Sequence, residues 1–216
     1  MTSEDLDSDL ESYSDYFSSL GYKYIQKYHK IIVQDFQRHA GIKDDGIIGP
    51  ITQGKIKIFN PENFCPEVFE PIKPYVPYTN EQIESLMQPL LVGFGCVFNY
   101  NARINDFDVL HSIAHSVLEA SYKGLWGNSA IAIKKNNIYG FGAYDLSPMA
   151  SAKKFMNKAE CIQIWSKWWN EYYLLESGKY YHGNHENGVN VKYASSPIAA
   201  ISKSFIVRNL RNKLNE

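Results

Sequence analysis

Among the 216 residues of this chain, Glu119 is the one whose type and spacing point most directly to chemistry. Apolar residues recur at Leu110, Ile113, Ala114, Val117 and Leu118, the stripe of a buried helical face, and Glu119 stands at its edge beside the last buried turn. A carboxyl so placed is partly desolvated, which disfavours its charged form. The outcome is an acid that keeps its proton near neutral pH, as a general acid must. A plain surface glutamate near a helix C-terminus would oppose the helix dipole. His111, His115 and Glu119 also recur every four residues, a spacing that could imitate a metal-binding face. Without an H-E-x-x-H pattern or an evident third ligand, the expectation is no metal and no cofactor, with His115 packed beside Glu119. No Ser-His-Asp or Cys-His arrangement has a recognisable context, and His182 and His185 are expected to lie solvated in a turn.

Several elements must position Glu119. The loop GLWGNS (124–129) follows it, then a short helical run, SAIAIKKNN, and IYGFGAYD (138–145). Upstream, Thr79 and Gln82 form a T-x-x-Q capping box, so a helix opens at about Asn80 and is interrupted by Pro89. LLVGFGCVF (90–98) is expected to be a buried segment broken at Gly93 and Gly95. Downstream, Met149 to Phe155 could hold a short irregular hairpin. Ala159 to Leu175 is helical in pattern, and of its Trp165, Trp168, Trp169, Tyr172 and Tyr173 most belong in the core while one or two face a cleft. A turn-rich segment, GKYYHGNHENGVN, leads to a last helix from about Pro197 to Leu214.

The N-terminal third has a different character. Residues 1–21 hold six acidic groups and no base, which leaves 22 basic and 17 acidic groups in the remainder, a net of +5. That body suits an anionic polymer but gives no case for nucleic acid. The acidic arm is expected to be frayed or a weak amphipathic helix on the next module. A helical pattern then runs from about Tyr22 to Ala40 and stops at Gly41, before KDDGIIGPIT. Five of the nine prolines fall between residues 61 and 77, the signature of a semi-rigid linker. Cys65, Cys96 and Cys161 lack metal or redox spacing and are expected to be buried free thiols. There is no signal-peptide pattern and no apolar run long enough to span a membrane.

Taken together, AHSVLEAS, GNSAIA, KNNIYGFGAYD, GKYYHG and NVKYASSP resemble, in that order, the glucosaminidase domain of bacterial and phage peptidoglycan hydrolases, over roughly Ile83 to Leu214. The resemblance implies a lysozyme-like, mainly α fold with a small β or irregular lobe, and Glu119 as the catalytic glutamate. It implies Tyr193 as a cleft tyrosine, in a motif where Ser196 replaces the family's Asp. It also implies Asn136, Asn137, Tyr139, Phe141, Tyr144 and Trp126 as substrate contacts. Ten residues separate Glu119 from Ser129 where relatives commonly have about six, so the loop around Ser121 to Gly124 is longer here. Asp145 and Glu160 are the nearest further carboxylates in chain order. With an N-acetylglucosamine substrate, the 2-acetamido oxygen can replace a second one. Val33 to Phe59 resembles the small helical peptidoglycan-binding module, matched at Asp45, Gly46, Gly49, Pro50 and Thr52, with Thr52 a candidate cap for the helix starting near Gln53.

These readings give three parts: a helical wall-binding module with its acidic arm (1–60), a proline-rich linker (61–79) and a glucosaminidase-like catalytic domain (80–216). The expected activity is that of a phage-type endolysin cleaving the β-1,4 bond after N-acetylglucosamine. It would be made in the host cytoplasm, act on the wall after release, and work as a monomer on peptidoglycan, without nucleic acid or stable membrane insertion. A lytic transglycosylase or muramidase on the same fold is the nearest alternative, and a non-catalytic wall-binding or phage structural protein the alternative of another class.

Overall fold

The computed structural model describes residues 13–23, 27, 29–58, 66–144, 146–194, 196 and 198–216. Among them the chain is mainly helical, with one isolated bridge, Tyr122 to Leu125, in place of a β lobe. Among the described residues no helix is long and apolar enough to cross a membrane.

Two apolar cores organise the molecule. The smaller gathers Phe17 and Leu20 from α1 (residues 13–19) and its exit turn with Tyr22, and Ile32, Val33 and Phe36 from α2 (His29–His39). Phe17 meets Tyr22 and Phe36 edge to face, which locks the described part of the N-terminal arm onto α2. Tyr22 lies outside any helix and donates its hydroxyl to Asp35, so the expected helix start at Tyr22 is corrected to His29. The loop before α3 (Pro50–Ile58) wraps around Gln37, which donates to Asp45 Oδ1, Ile47 O and Thr52 Oγ1 and accepts from Gly46 N. Thr52 therefore lies inside the first turn of α3 as a buried tie and not, as expected, at its cap.

The larger core is built around α6 (Val109–Ala120). Packed with it are α4 (Asn80–Ser85), α5 (Gly95–Ile104), α9 (Lys158–Trp169, continued by a π turn, Asn170–Leu174), α10 (Glu186–Tyr193) and α11 (Ala199–Asn215), with the short α7 (Ala130–Lys135) and α8 (Pro148–Ser151) at one side. The Thr79–Gln82 capping box is present in full at α4. Other local expectations change. Residues 148–151 are helical and form no hairpin. In 90–98, Leu90 and Val92 are exposed, because Pro89 opens a single 3-10 turn that can bury only one side. Cys96 is exposed while Cys161 is buried, and Cys65 lies outside the described residues. His185 is no solvated turn residue: it caps α10, accepting from Gly188 N through Nδ1.

Helix α11 belongs to both cores, giving Ala200 and Ile201 to the smaller and Val207 and Leu210 to the larger. The described part of the expected linker is a strap tied to it. Arg208 grips Glu67 through two contacts of 2.7 and 2.6 Å, and Arg211 reaches Glu70 at 2.8 Å. Ile72 is buried, donates to Asn184 O and accepts from Asp108 N. Prolines here suit an extended strap whose carbonyls and flanking side chains make the contacts.

Candidate active site

Helix α6 is capped by Asp108, whose carboxylate accepts from Leu110 N, and is buried from Val109 through Ser116. Its last turn carries Glu119 out of the core to the floor of a cleft. Ser129 N bonds back to Ala120 O, so the loop after Glu119 leaves and returns to one point. Within that loop Tyr122 and Leu125 pair in a tight bridge.

The opposite wall is held by two asparagines. Asn136 ends α7 in the left-handed region (φ 54°) and donates to Phe155 O and Met156 O. Asn137 is buried, accepts from Tyr139 N and Phe141 N, and donates to Phe141 O and Lys153 O. Three of these bonds hold the turn Tyr139–Gly142, which brings Gly140 against the Glu119 carboxyl, and the fourth ties it to Lys153. Tyr139 is stacked on Trp165 at 3.8 Å, with its hydroxyl 2.7 Å from Ser112 Oγ.

The cleft has a volume of about 640 Å³, with Glu119 at its floor and Phe141, Tyr144, Trp168, Tyr173, Tyr180 and Tyr193 among its walls. Flat aromatic faces beside hydroxyls are suited to sugar rings. Glu119 is open to water on its cleft side, yet the surrounding protein desolvates the carboxyl enough to raise its pKa, against the pull of Lys203, which lowers it. Tyr193 accepts from Trp165 Nε1 (3.1 Å) and donates to Tyr139 O (3.4 Å); burial, then the Glu119 charge, keeps its phenol far from ionising. Among the described lining residues Glu119 is the single carboxylate.

The structure thus brings Glu119, Tyr193, Tyr139, Phe141 and Tyr144 together. Tyr144 is 71% exposed at the rim. Asp145 lies outside the described residues. Glu160 is corrected from catalytic candidate to helix cap: its carboxylate accepts from Met156 N at 2.6 Å while Asn157 accepts from Glu160 N. Asn136 and Asn137 are not among the cleft-lining residues, because both spend their amides on backbone. Trp126 is corrected to a core residue, buried against Phe98 with Nε1 donating to Ser116 Oγ. Tyr180, Lys192 and the buried Lys203 escaped sequence reasoning. Tyr180 sits in the GKYYHG motif and Lys192 beside Tyr193, which were the available signals; Lys203 had none.

The fold is that of the staphylococcal autolysin glucosaminidase domains. Autolysin E of Staphylococcus aureus superposes with a TM-score of 0.58 at 16% identity, covering 87% of this chain and 92% of that one. Its complex with the muropeptide NAM-L-Ala-D-iGlu gives 0.55 at 19% identity, covering 69% and 73%. Glucosaminidase B of S. aureus gives 0.50 at 17%, covering 68% and 65%. In sequence, the chain is 31% identical over 155 residues to proteins of Streptococcus pneumoniae serotype 4 and strain R6, each named provisionally as an endo-beta-N-acetylglucosaminidase. The match takes in 69% of this chain but only 23% and 21% of those proteins, so the chain spans less than a quarter of the curated relatives' length. No family model matches it.

Proposed function

We propose that this chain cleaves the β-1,4 bond after N-acetylglucosamine in bacterial peptidoglycan, with Glu119 as general acid. The observation that carries the proposal is a desolvated carboxyl, its pKa raised, at the floor of an aromatic-walled cleft. Glu119 gives its proton to the glycosidic oxygen as the C1–O bond breaks and the bonding pair passes to that oxygen. The sugar's own 2-acetamido oxygen closes on C1 from the other face. Water then opens this ring, and the Glu119 carboxylate takes the water's proton. The scheme needs one enzymic carboxyl, in keeping with the lining residues. Tyr193, anchored through its hydroxyl, would orient the acetamido group or the water. The glucosaminidase names of the relatives and the muropeptide seen on autolysin E support this substrate.

The proposal extends to an endolysin that reaches the wall after release from the host cytoplasm. The Asp45–Thr52 loop would then hold the wall as well. It borders an apolar groove of about 340 Å³, where Ile47 and Ile51 are 65% and 73% exposed beside Pro50. Mass spectrometry of sugar ends released from purified peptidoglycan tests the activity. Reducing N-acetylglucosamine ends that vanish with Glu119→Gln are expected. Anhydro-muramic ends would make the protein a transglycosylase, reducing muramic ends a muramidase, and no new ends a wall-binding protein.

A further inference from the structure

Beneath the cleft floor lies a charged cluster that this reaction scheme does not use. Glu186 opens α10, Lys203 sits early in α11, and His111 and His115 project from α6, the helix that carries Glu119. All four side chains are buried. Lys203 Nζ stands 2.6 Å from Glu186 Oε2 and donates to His115 Nε2 at 2.7 Å, while His111 Nδ1 lies 2.9 Å from Glu186 Oε1. The ammonium is also 5.4 Å from the centre of the Tyr193 ring, against which the His115 ring packs at 4.6 Å. A buried ion pair adds little net stability, since desolvation cancels much of its attraction and apolar side chains of the same volume often do as well. Placing one here therefore calls for a task that apolar side chains cannot perform.

The pair is oriented. Its cationic end lies under Tyr193 and acts on Glu119. His115 adds no second cation, because burial and then Lys203 push its pKa down. Lys203 and His111 keep Glu186 ionised against its burial. The other titratable groups lining the cleft with Glu119 are Tyr139 from the turn, Tyr144 at the rim, Tyr173 and Tyr180, and Tyr193 and Lys192 from α10. Burial raises the pKa of Tyr139, Tyr173 and Tyr193, and Lys192 is exposed at the rim, where water screens it.

We propose that Lys203 is a positioning residue for the cleavage reaction: it fixes the Tyr193 ring and presents, from below, positive charge to the negative charge Glu119 acquires on giving up its proton. This inference rests on Glu119 being the general acid. In water-poor surroundings a fixed charge aimed at developing charge lowers the barrier without reorganisation at the moment of reaction.

The test compares Lys203→Met with the double variant Lys203→Met/Glu186→Gln, which leaves no buried charge unpaired. Steady-state kinetics on purified peptidoglycan across pH, with circular dichroism for the fold, give the readout. In the folded double variant KM is expected to stay near the wild-type value. The kcat falls about tenfold, a fraction of the roughly 10²- to 10⁴-fold that a positioned general acid supplies. The alkaline limb of kcat moves to higher pH, because Glu119 without its cation holds the proton more tightly. A folded double variant with the wild-type kcat and limb overturns the proposal, and so does one that cannot fold, which would make the pair purely structural. Glu119→Gln run in parallel separates the two readings. If it keeps full activity the general-acid reading itself fails; if it is inactive while the double variant's limb does not move, only the role of Lys203 fails.

Discussion

Glu119 Oε2 rests against the bare Cα of Gly140: a Cβ built on Gly140 would stand 3.0 Å from that oxygen, and the glycine has φ +62°. Both facts follow from the turn that Asn137 ties with three hydrogen bonds. Gly140→Ala therefore meets backbone strain and a crowded carboxyl at once. Its stability is expected to fall by at least about 1 kcal/mol, a drop in Tm of roughly 2–4 °C. Its kcat should fall about tenfold, because a misplaced acid loses part of the general-acid contribution. Thermal melts and wall-turbidity kinetics on the same preparation check both.

The groups at and beneath the cleft make stability depend on pH with two signs. His115 and Glu186 both have folded-state pKa values below their ordinary 6.5 and 4.5. The unfolded chain then binds their protons first, so the stability each contributes is present above its ordinary value and lost as pH falls below it. Glu119 has a raised value, so its contribution is present below 4.5 and lost as pH rises. Denaturant midpoints should decline in two stages between pH 8 and 4. Glu119→Gln should match or slightly exceed wild type at neutral pH, and its relative gain should disappear in acid.

Tyr193→Phe removes a hydroxyl that satisfies Trp165 Nε1 and bonds Tyr139 O, but keeps the ring over Lys203. The orphaned indole N–H should cost about 1–3 kcal/mol. If the hydroxyl orients the acetamido group or water, kcat falls about 10- to 100-fold with KM little changed. Equal losses in kcat/KM for Tyr193→Phe and Tyr193→Ala would place the whole effect in the hydroxyl; a larger loss for Ala would bring in the ring held by Lys203.

Glu160→Ala removes the carboxylate that accepts from Met156 N at the start of α9. Loss of such a cap should cost about 1 kcal/mol, and the rate of wall lysis at temperatures well below Tm should be retained. A collapse of activity in a folded Glu160→Ala variant would return Glu160 to the cleft chemistry.

Much of the fold was legible because its signals are local. The stripe from Leu110 to Leu118 sets the buried face of α6, and Thr79 with Gln82 marks the start of α4 within four residues. The aromatic run on α9 divides as its helical spacing requires, with Trp165 and Trp169 inward and Trp168 at the cleft. Misreadings arose where a residue's task depends on distant chain. Pro61 to Pro77 reads as a spacer until Arg208 and Arg211 are seen to grip Glu67 and Glu70, and Trp126 reads as a substrate contact until Ser116 takes its N–H.

Sequence alone determined that a carboxyl would emerge from the end of a buried helix beside a glycine-rich turn, because helix periodicity and turn chemistry act over a few residues. Tertiary structure decided what surrounds that carboxyl. The Lys203–His115 contact joins residues 88 apart, and His111–Glu186 residues 75 apart. A lysine in a polar last helix looks like solvated surface from its neighbours in the chain. Its burial under the cleft is fixed only when α6, α10 and α11 pack, since desolvation and Coulomb interaction depend on distance in space and not along the chain.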